Sequence, residues 1–238
     1  MKWISATNGE AGHHQMSSEA LIARRRQELA VSAATIGADV DVWDFRDGQL
    51  LPDLALRRKI IAEIRSFRPD LVLTHRPWDY HPDHRALGQA VQDACYLVTV
   101  PLIQPEVPSL PRDPVVAFMI DLFQRPTPFQ PDFVLDVTNE LDLILKMIAC
   151  HESQVFEFLP HSFGTTQAVP DLDEERLDWL KRWFLERAQH RTKVINTESK
   201  SLGAAELLEA YEICEYASQK PMEELALLFP GAVRRMGD

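Results

Sequence analysis

The run Asp70-Leu71-Val72-Leu73-Thr74 constrains the fold more than any other stretch. It reads as a short apolar strand of the kind buried in a parallel sheet, set between two helical patterns. The upstream helix spans Leu54 to Phe67, with Leu56, Ile60, Ile61, Ile64 and Phe67 on one face, and Pro69 ends it. Downstream, a loop from His75 to Asp83 leads into a helix from about His84 to Val98. The alternation extends toward the N-terminus. Residues 2–6 form a strand that meets Asn8-Gly9, and Ser17 to Ile36 form a helix capped by Ser17 or Ser18 and stopped at Gly37. Val40 to Phe45 form a strand before the turn Arg46-Asp47-Gly48.

Phe133 to Val137 is a further core-type strand, followed by a helix from Asn139 to about Cys150 with Thr138 as its cap. Such alternation predicts an α/β fold, a Rossmann-like three-layer sandwich whose mainly parallel sheet is covered by helices on both faces. The proline-rich stretch from Pro101 to Pro131 is expected to be an irregular surface excursion. The last third predicts a helical C-terminal region over Leu172 to Gln189, Ala204 to Ser218 and Met222 to Leu228. Trp179, Trp183, Phe184, Leu207 and Leu208 are its expected core residues.

Composition narrows the partners. The 238 residues, 45% of them hydrophobic, suffice for one sizeable core and predict a single domain over 1–238. With 25 basic and 36 acidic residues the chain carries a formal charge of −11, which argues against a nucleic-acid partner. No apolar run approaches the roughly 18 residues of a membrane span. The three cysteines, Cys95, Cys150 and Cys214, are far apart and odd in number. They read as free thiols of a cytoplasmic protein.

Three of the eight histidines, His75, His81 and His84, fall within ten residues directly after the strand at Asp70 to Thr74. Open α/β sheets place ligands in the crevice beyond the carboxyl ends of their strands. His81 and His84 stand three apart where a helix begins, so both imidazoles can face one wall. Asp83 lies between them, and a carboxylate beside an imidazole can fix its tautomer or raise its pKa. No Gly-rich phosphate loop and no Gly-x-Ser-x-Gly elbow occur, which argues against phosphate-ester and serine-hydrolase chemistry.

The stretch Thr74-His75-Arg76-Pro77-Trp78-Asp79-Tyr80-His81-Pro82-Asp83-His84 resembles the second signature of the LmbE/PIG-L family of zinc-dependent N-deacetylases. Thr7 to Gly12, the Arg-x-x-Glu segment from Arg25 to Glu28, Arg46-Asp47-Gly48 and His151-Glu152-Ser153-Gln154-Val155 are similar to further stretches of that family, in the same order. The resemblance implies that His84 is a zinc ligand and that His81 stabilises the oxyanion or protonates the leaving amine. It implies that Asp83 tunes His81, and that Arg25 and Asp47 hold an amino-sugar-like substrate. In that mechanism zinc polarises the acetyl carbonyl and lowers the pKa of its water. A carboxylate base takes the proton, and acetate and a free amine result.

The family's first signature, His-Pro-Asp-Asp, supplies two further zinc ligands and the base, and it does not occur in this sequence. The resemblance therefore implies an N-terminally incomplete domain, with a strand, loop and helix of roughly thirty residues expected in front of Met1. A start at an internal methionine, a shortened carbohydrate-binding relative without catalysis, and a site completed by a partner subunit are the three explanations. His13 and His14 follow a strand end and could substitute as ligands, but the resemblance places them in an ordinary loop. A missing strand also predicts lower stability or self-association, so a homo-oligomer is one expected state.

Overall fold

The computed structural model describes residues 1–198 and 205–234. They form two compact units, each assembled from two stretches of chain: Met1–Leu50 with Val137–His190, and Leu51–Asp136 with Arg191–Asp238. In the first unit, β1 (Lys2–Thr7) and β2 (Asp39–Phe45) are parallel neighbours, paired from Lys2 opposite Asp39 to Thr7 opposite Phe45. The crossover between them is α1 (Ser18–Ala34). Ser17 caps it by accepting from Ala20 N, and Gly37 leaves it with φ +64°. The second stretch adds α4 (Leu141–Ala149), a π-helical turn (Ser153–Phe158) and α5 (Leu159–Ser162), then begins α6 (Asp173–Glu198). Ser32 Oγ donates to Met147 O at 3.0 Å, joining α1 to α4.

The second unit holds α2 (Leu54–Phe67), β3 (Leu71–Thr74), α3 (Pro82–Cys95), β4 (Val115–Met119), β5 (Phe133–Asp136), β6 (Leu208–Ile213), α7 (Met222–Leu228) and β7 (Val233–Arg234). Asp53 caps α2 by accepting from Leu56 N at 3.0 Å. The helix buries Leu56, Ile60, Ile61 and Ile64, whereas Phe67 stays exposed. The strands form one sheet in the order β3-β4-β6-β5-β7. Val115, Ala117 and Phe133 meet Leu225 and Phe229 on one face, and Val134, Leu208 and Ala210 meet Phe129 and Ile195 on the other. Arg65 is fully buried, and its guanidinium donates to the carbonyls of Leu97, Val98, Val100, Ile103, Gln104 and Val107. One side chain thus satisfies the main chain of the turn that follows α3.

The α/β class holds, but the sheet is not mainly parallel. Within the five-stranded sheet only β3–β4 is parallel, while β4–β6, β6–β5 and β5–β7 are antiparallel. Two misread segments account for the difference. Val115–Met119, inside the stretch expected to be a surface excursion, is an internal strand in which Val115, Val116 and Ala117 are completely buried. Leu208–Ile213 lies within the expected helix from Ala204 to Ser218, yet it forms β6; Ala204 itself lies outside the described residues. Its Leu, Glu and Ala favour a helix, but propensity is a weak prior, and a slot between β4 and β5 with both faces covered overrides it. The other two C-terminal helices are present. Trp179, Leu207 and Leu208 are buried, with Trp183 and Phe184 half-buried.

Candidate functional site

In the second unit the loop between β3 and α3 gathers His75, Asp79, His81 and His84. His75 is the first residue past the strand. It is set in place by backbone packing: a Cβ on Gly88 would stand 2.4 Å from the His75 carbonyl oxygen, so only glycine lets α3 pass this close. His81 is the N-cap of α3, and its Nδ1 accepts from Asp83 N at 3.2 Å. Accepting there places the proton of a neutral His81 ring on Nε2. Asp79 Oδ1 accepts from His81 N at 2.8 Å and lies 3.0 Å from His84 Nδ1. That contact puts the His84 proton on Nδ1 and leaves its Nε2 lone pair free, the arrangement by which a carboxylate orients a metal-binding imidazole.

The rings pack tightly. His75 and His84 lie face to face with centroids 4.0 Å apart and planes 2° from parallel, and Tyr80 stands edge-on to both His81 and His84. Burial, and then the neighbouring His84, push His75 down to about 4, so its ring is neutral at ordinary pH. His75, Asp79 and His84 can each offer a ligand atom within 4.8 Å of the others. Two imidazoles and a carboxylate are a donor set suited to zinc. Imidazole lone pairs lie in the ring plane, so two parallel rings cannot aim at one ion until one of them turns. His75, whose ring nitrogens make no hydrogen bond among the described residues, is the ring free to do so.

Arg25 and Asp47 stand in the first unit. Arg25 Nη1 donates to Gln154 Oε1 and Nη2 donates to Gly12 O at 2.8 Å, while Nε is buried without a partner. Burial lowers the Arg25 pKa, and the nearby charges of Glu28 and Asp47 oppose that shift. A cavity of about 340 Å³ opens beside it, lined by Asn8, Gly9, His151 and Gln154 among others. Three positions from Arg25, the buried Glu28 accepts from Ser153 N at 2.8 Å and Ser153 Oγ at 2.7 Å. The Arg-x-x-Glu and His-Glu-Ser-Gln segments therefore hold each other across more than a hundred residues of sequence.

The structure brings His81, Asp83 and His84 together at the start of α3, with Asp83 buried and touching His81 through its main-chain nitrogen. The family resemblance assigns no role to His75 or Asp79, yet in the structure they share a cluster with His84. Their signal was positional, since one directly follows the strand and the other lies two residues before His81.

An imidazole–carboxylate cluster just past the carboxyl end of a parallel strand defines a class: α/β proteins that gather polar chemistry at a strand terminus. Within that class, residues 1–95 match the PIG-L family, described as GlcNAc-PI de-N-acetylase. Diacetylchitobiose deacetylase of Thermococcus kodakarensis is 26% identical over 155 residues, covering 63% of this chain and 55% of that protein. The 4-oxalmesaconate hydratase of Pseudomonas putida is 27% identical over 131 residues, covering 55% of this chain and 50% of its own length. The chain thus spans about half the length of these curated relatives. The solved N,N'-diacetylchitobiose deacetylase of Pyrococcus horikoshii shares the fold at a TM-score of 0.68 and 21% identity, over 94% of this chain and 77% of that one.

Proposed function

We propose that this chain serves zinc-dependent removal of an N-acetyl group from an amino sugar or glycoconjugate. The observation that carries the reading is the His75–Asp79–His84 group beside an N-capping His81, inside the stretch that matches the family. His84 Nε2 would hold the metal with His75 as a further donor, and Asp79, bonded to His84 Nδ1 on the opposite side of the ring, orients that imidazole. Zinc, when bound, supplies Lewis acidity toward the acetyl carbonyl and the attacking water.

His81 presents its Nε2–H at the N-terminus of α3, where the helix dipole favours developing negative charge. From there it stabilises the oxyanion or hands a proton to the leaving amine, and Asp83 beside it tunes the ring. Arg25 and Asp47 keep the sugar-binding role that the resemblance gives them. The free thiols Cys95, Cys150 and Cys214 favour a reducing, cytoplasmic setting, and no helix among the described residues is long and apolar enough to cross a membrane.

The relatives differ, one a deacetylase and one a hydratase, so the assay must separate amide hydrolysis from water addition. The test is release of acetate and free amine, in equal amounts, from N-acetylglucosamine and diacetylchitobiose by the zinc-supplemented protein. His81→Ala is expected to lower kcat by roughly 10²–10⁴-fold. A zinc-loaded protein that releases no acetate overturns the reading. Sugar binding that needs no zinc and gives no turnover would instead mark a non-catalytic carbohydrate-binding relative.

A further inference from the structure

The loop that leaves β4 is built against the histidine loop. β3 and β4 are parallel neighbours with Thr74 opposite Phe118, so the segments past their carboxyl ends emerge side by side. Arg76, buried at 2% exposure, clasps the two. Its Nη1 donates to Asp121 Oδ1 at 3.2 Å, its Nη2 donates to Thr127 O at 2.7 Å, and its guanidinium lies 5.7 Å from the Phe129 ring. Asp121 Oδ1 also accepts from Phe123 N at 2.9 Å, a side-chain turn that fixes the main chain from which the Phe123 ring projects.

That ring stands 6.2 Å from Tyr80 and is tilted 41° to it, and Tyr80 in turn lies edge-on to His81 and His84. Tyr80 is 70% exposed and Phe123 is 37% exposed. An aromatic ring is among the most favourable side chains to bury, so two held open beside reactive imidazoles form a preformed apolar wall. The clasp is kept at a cost, because Asp121 Oδ2 is buried with no hydrogen-bond partner among the described residues.

We propose that Tyr80 and Phe123 form a ring-stacking subsite that receives the apolar C–H face of a pyranose. This rests on the amino-sugar reading above. A pyranose fits because one face presents C–H groups to a ring while its hydroxyls point outward, where the polar groups of the histidine loop stand. Arg76 and Asp121 are positioning residues, acting through the placement of Phe123.

The test is nuclear magnetic resonance of methyl β-N-acetylglucosaminide with the full chain, alongside steady-state kinetics where acetate is released. Bound sugar should show upfield shifts confined to the ring protons of one face. Phe123→Ala should weaken binding and raise KM about two- to tenfold, the worth of one ring contact, with kcat held within about twofold. Phe123→Trp should restore binding, and Phe123→Leu, which keeps bulk without a π face, should not. Asp121→Asn should weaken binding in the same sense as Phe123→Ala, and a change in kcat alone would count against its positioning role. If the wild-type chain does not bind the sugar, or if Phe123→Ala binds it unchanged, the subsite is overturned. If the sugar binds with the one-faced signature and no acetate is released, the deacetylase reading fails while the subsite stands.

Discussion

Each unit gathers a cluster of three histidines and a carboxylate, His13, His14 and His161 with Glu157 in the first and His75, His81 and His84 with Asp79 in the second, and the two clusters are wired in opposite ways. In the first unit His13 spends both ring nitrogens on the protein: Nδ1 accepts from Gln15 N and Met16 N, and Nε2 lies 3.0 Å from Glu157 Oε2. Glu157 is itself gripped by both terminal nitrogens of Arg24. His14 stacks on His161 with centroids 3.7 Å apart. In the second unit His84 uses only Nδ1, toward Asp79, and the His75 ring bonds to nothing described. An imidazole whose lone pair already accepts from backbone N–H groups has none for a metal, whereas one oriented by a carboxylate on its far side has one to give. Counting histidines does not separate the two clusters. Following each nitrogen to its partner does, and it removes His13 as a substitute ligand.

The largest expected effect tests that contrast directly. His84→Ala should lower zinc affinity by more than about 100-fold, the upper end of what losing even an orienting partner costs. Asp79→Asn should cost about 10- to 100-fold, because the His84 ring loses its tautomer and aim. His13→Ala should leave zinc affinity unchanged. Metal titration of the three variants decides the matter, and a His13→Ala variant that loses zinc as fully as His84→Ala would erase the distinction between the clusters.

The sequence made local order visible and hid what depends on distant partners. The span Leu54–Phe67 for α2, the strand at Leu71–Thr74 and the His81–His84 start of α3 follow from periodicity and capping, which operate within a few residues. β4 lies among prolines and β6 is made of good helix formers, so only their pairing in the sheet identifies them. Within the site, His81 and His84 were legible as a motif. The His75–His84 stack, the aim of Asp79 and the Arg76–Asp121 clasp arise when loops leaving two strands meet, which no spacing rule encodes. Likewise the bonds of Arg25 to Gln154 and of Glu28 to Ser153 give two separate motifs a shared structural role.

A second, intermediate effect sharpens the contrast between hydrogen-bonded and packed histidines. Since His75 is placed by backbone packing, its position should depend on Gly88. Glycine to alanine inside a helix ordinarily stabilises by roughly 0.5–1 kcal/mol. Here the added carbon would meet the His75 carbonyl at 2.4 Å, so Gly88→Ala should instead destabilise by about 1–3 kcal/mol. Zinc affinity should fall with it. Thermal unfolding reads the first effect and metal titration the second. A stabilised variant with normal zinc binding would show that α3 and the histidine loop separate at no cost.

The smallest effect belongs to the closed cluster and is read by pH. Hydrogen bonding from Arg24, opposed by burial and aided by His13, holds the Glu157 carboxyl below its ordinary value of 4.5. The native chain therefore binds fewer protons at this group than the unfolded chain does as pH falls below 4.5. By linkage, the stabilisation from Glu157 is fully present above that pH and is lost as pH drops through the lowered native value. Glu157→Gln removes the titration, so the stability difference between wild type and variant should shrink steadily on acidification below pH 4.5. The carboxylate is partly exposed and screened, which limits the difference near neutrality to below about 1 kcal/mol. Denaturant unfolding across that pH range measures it. A difference that stayed constant with pH would mean that Glu157 acts through packing, and the ion-pair account of the closed cluster would fall. A parallel loss of zinc affinity in Glu157→Gln would go further, because it would tie the closed cluster to the metal that its hydrogen bonding should exclude.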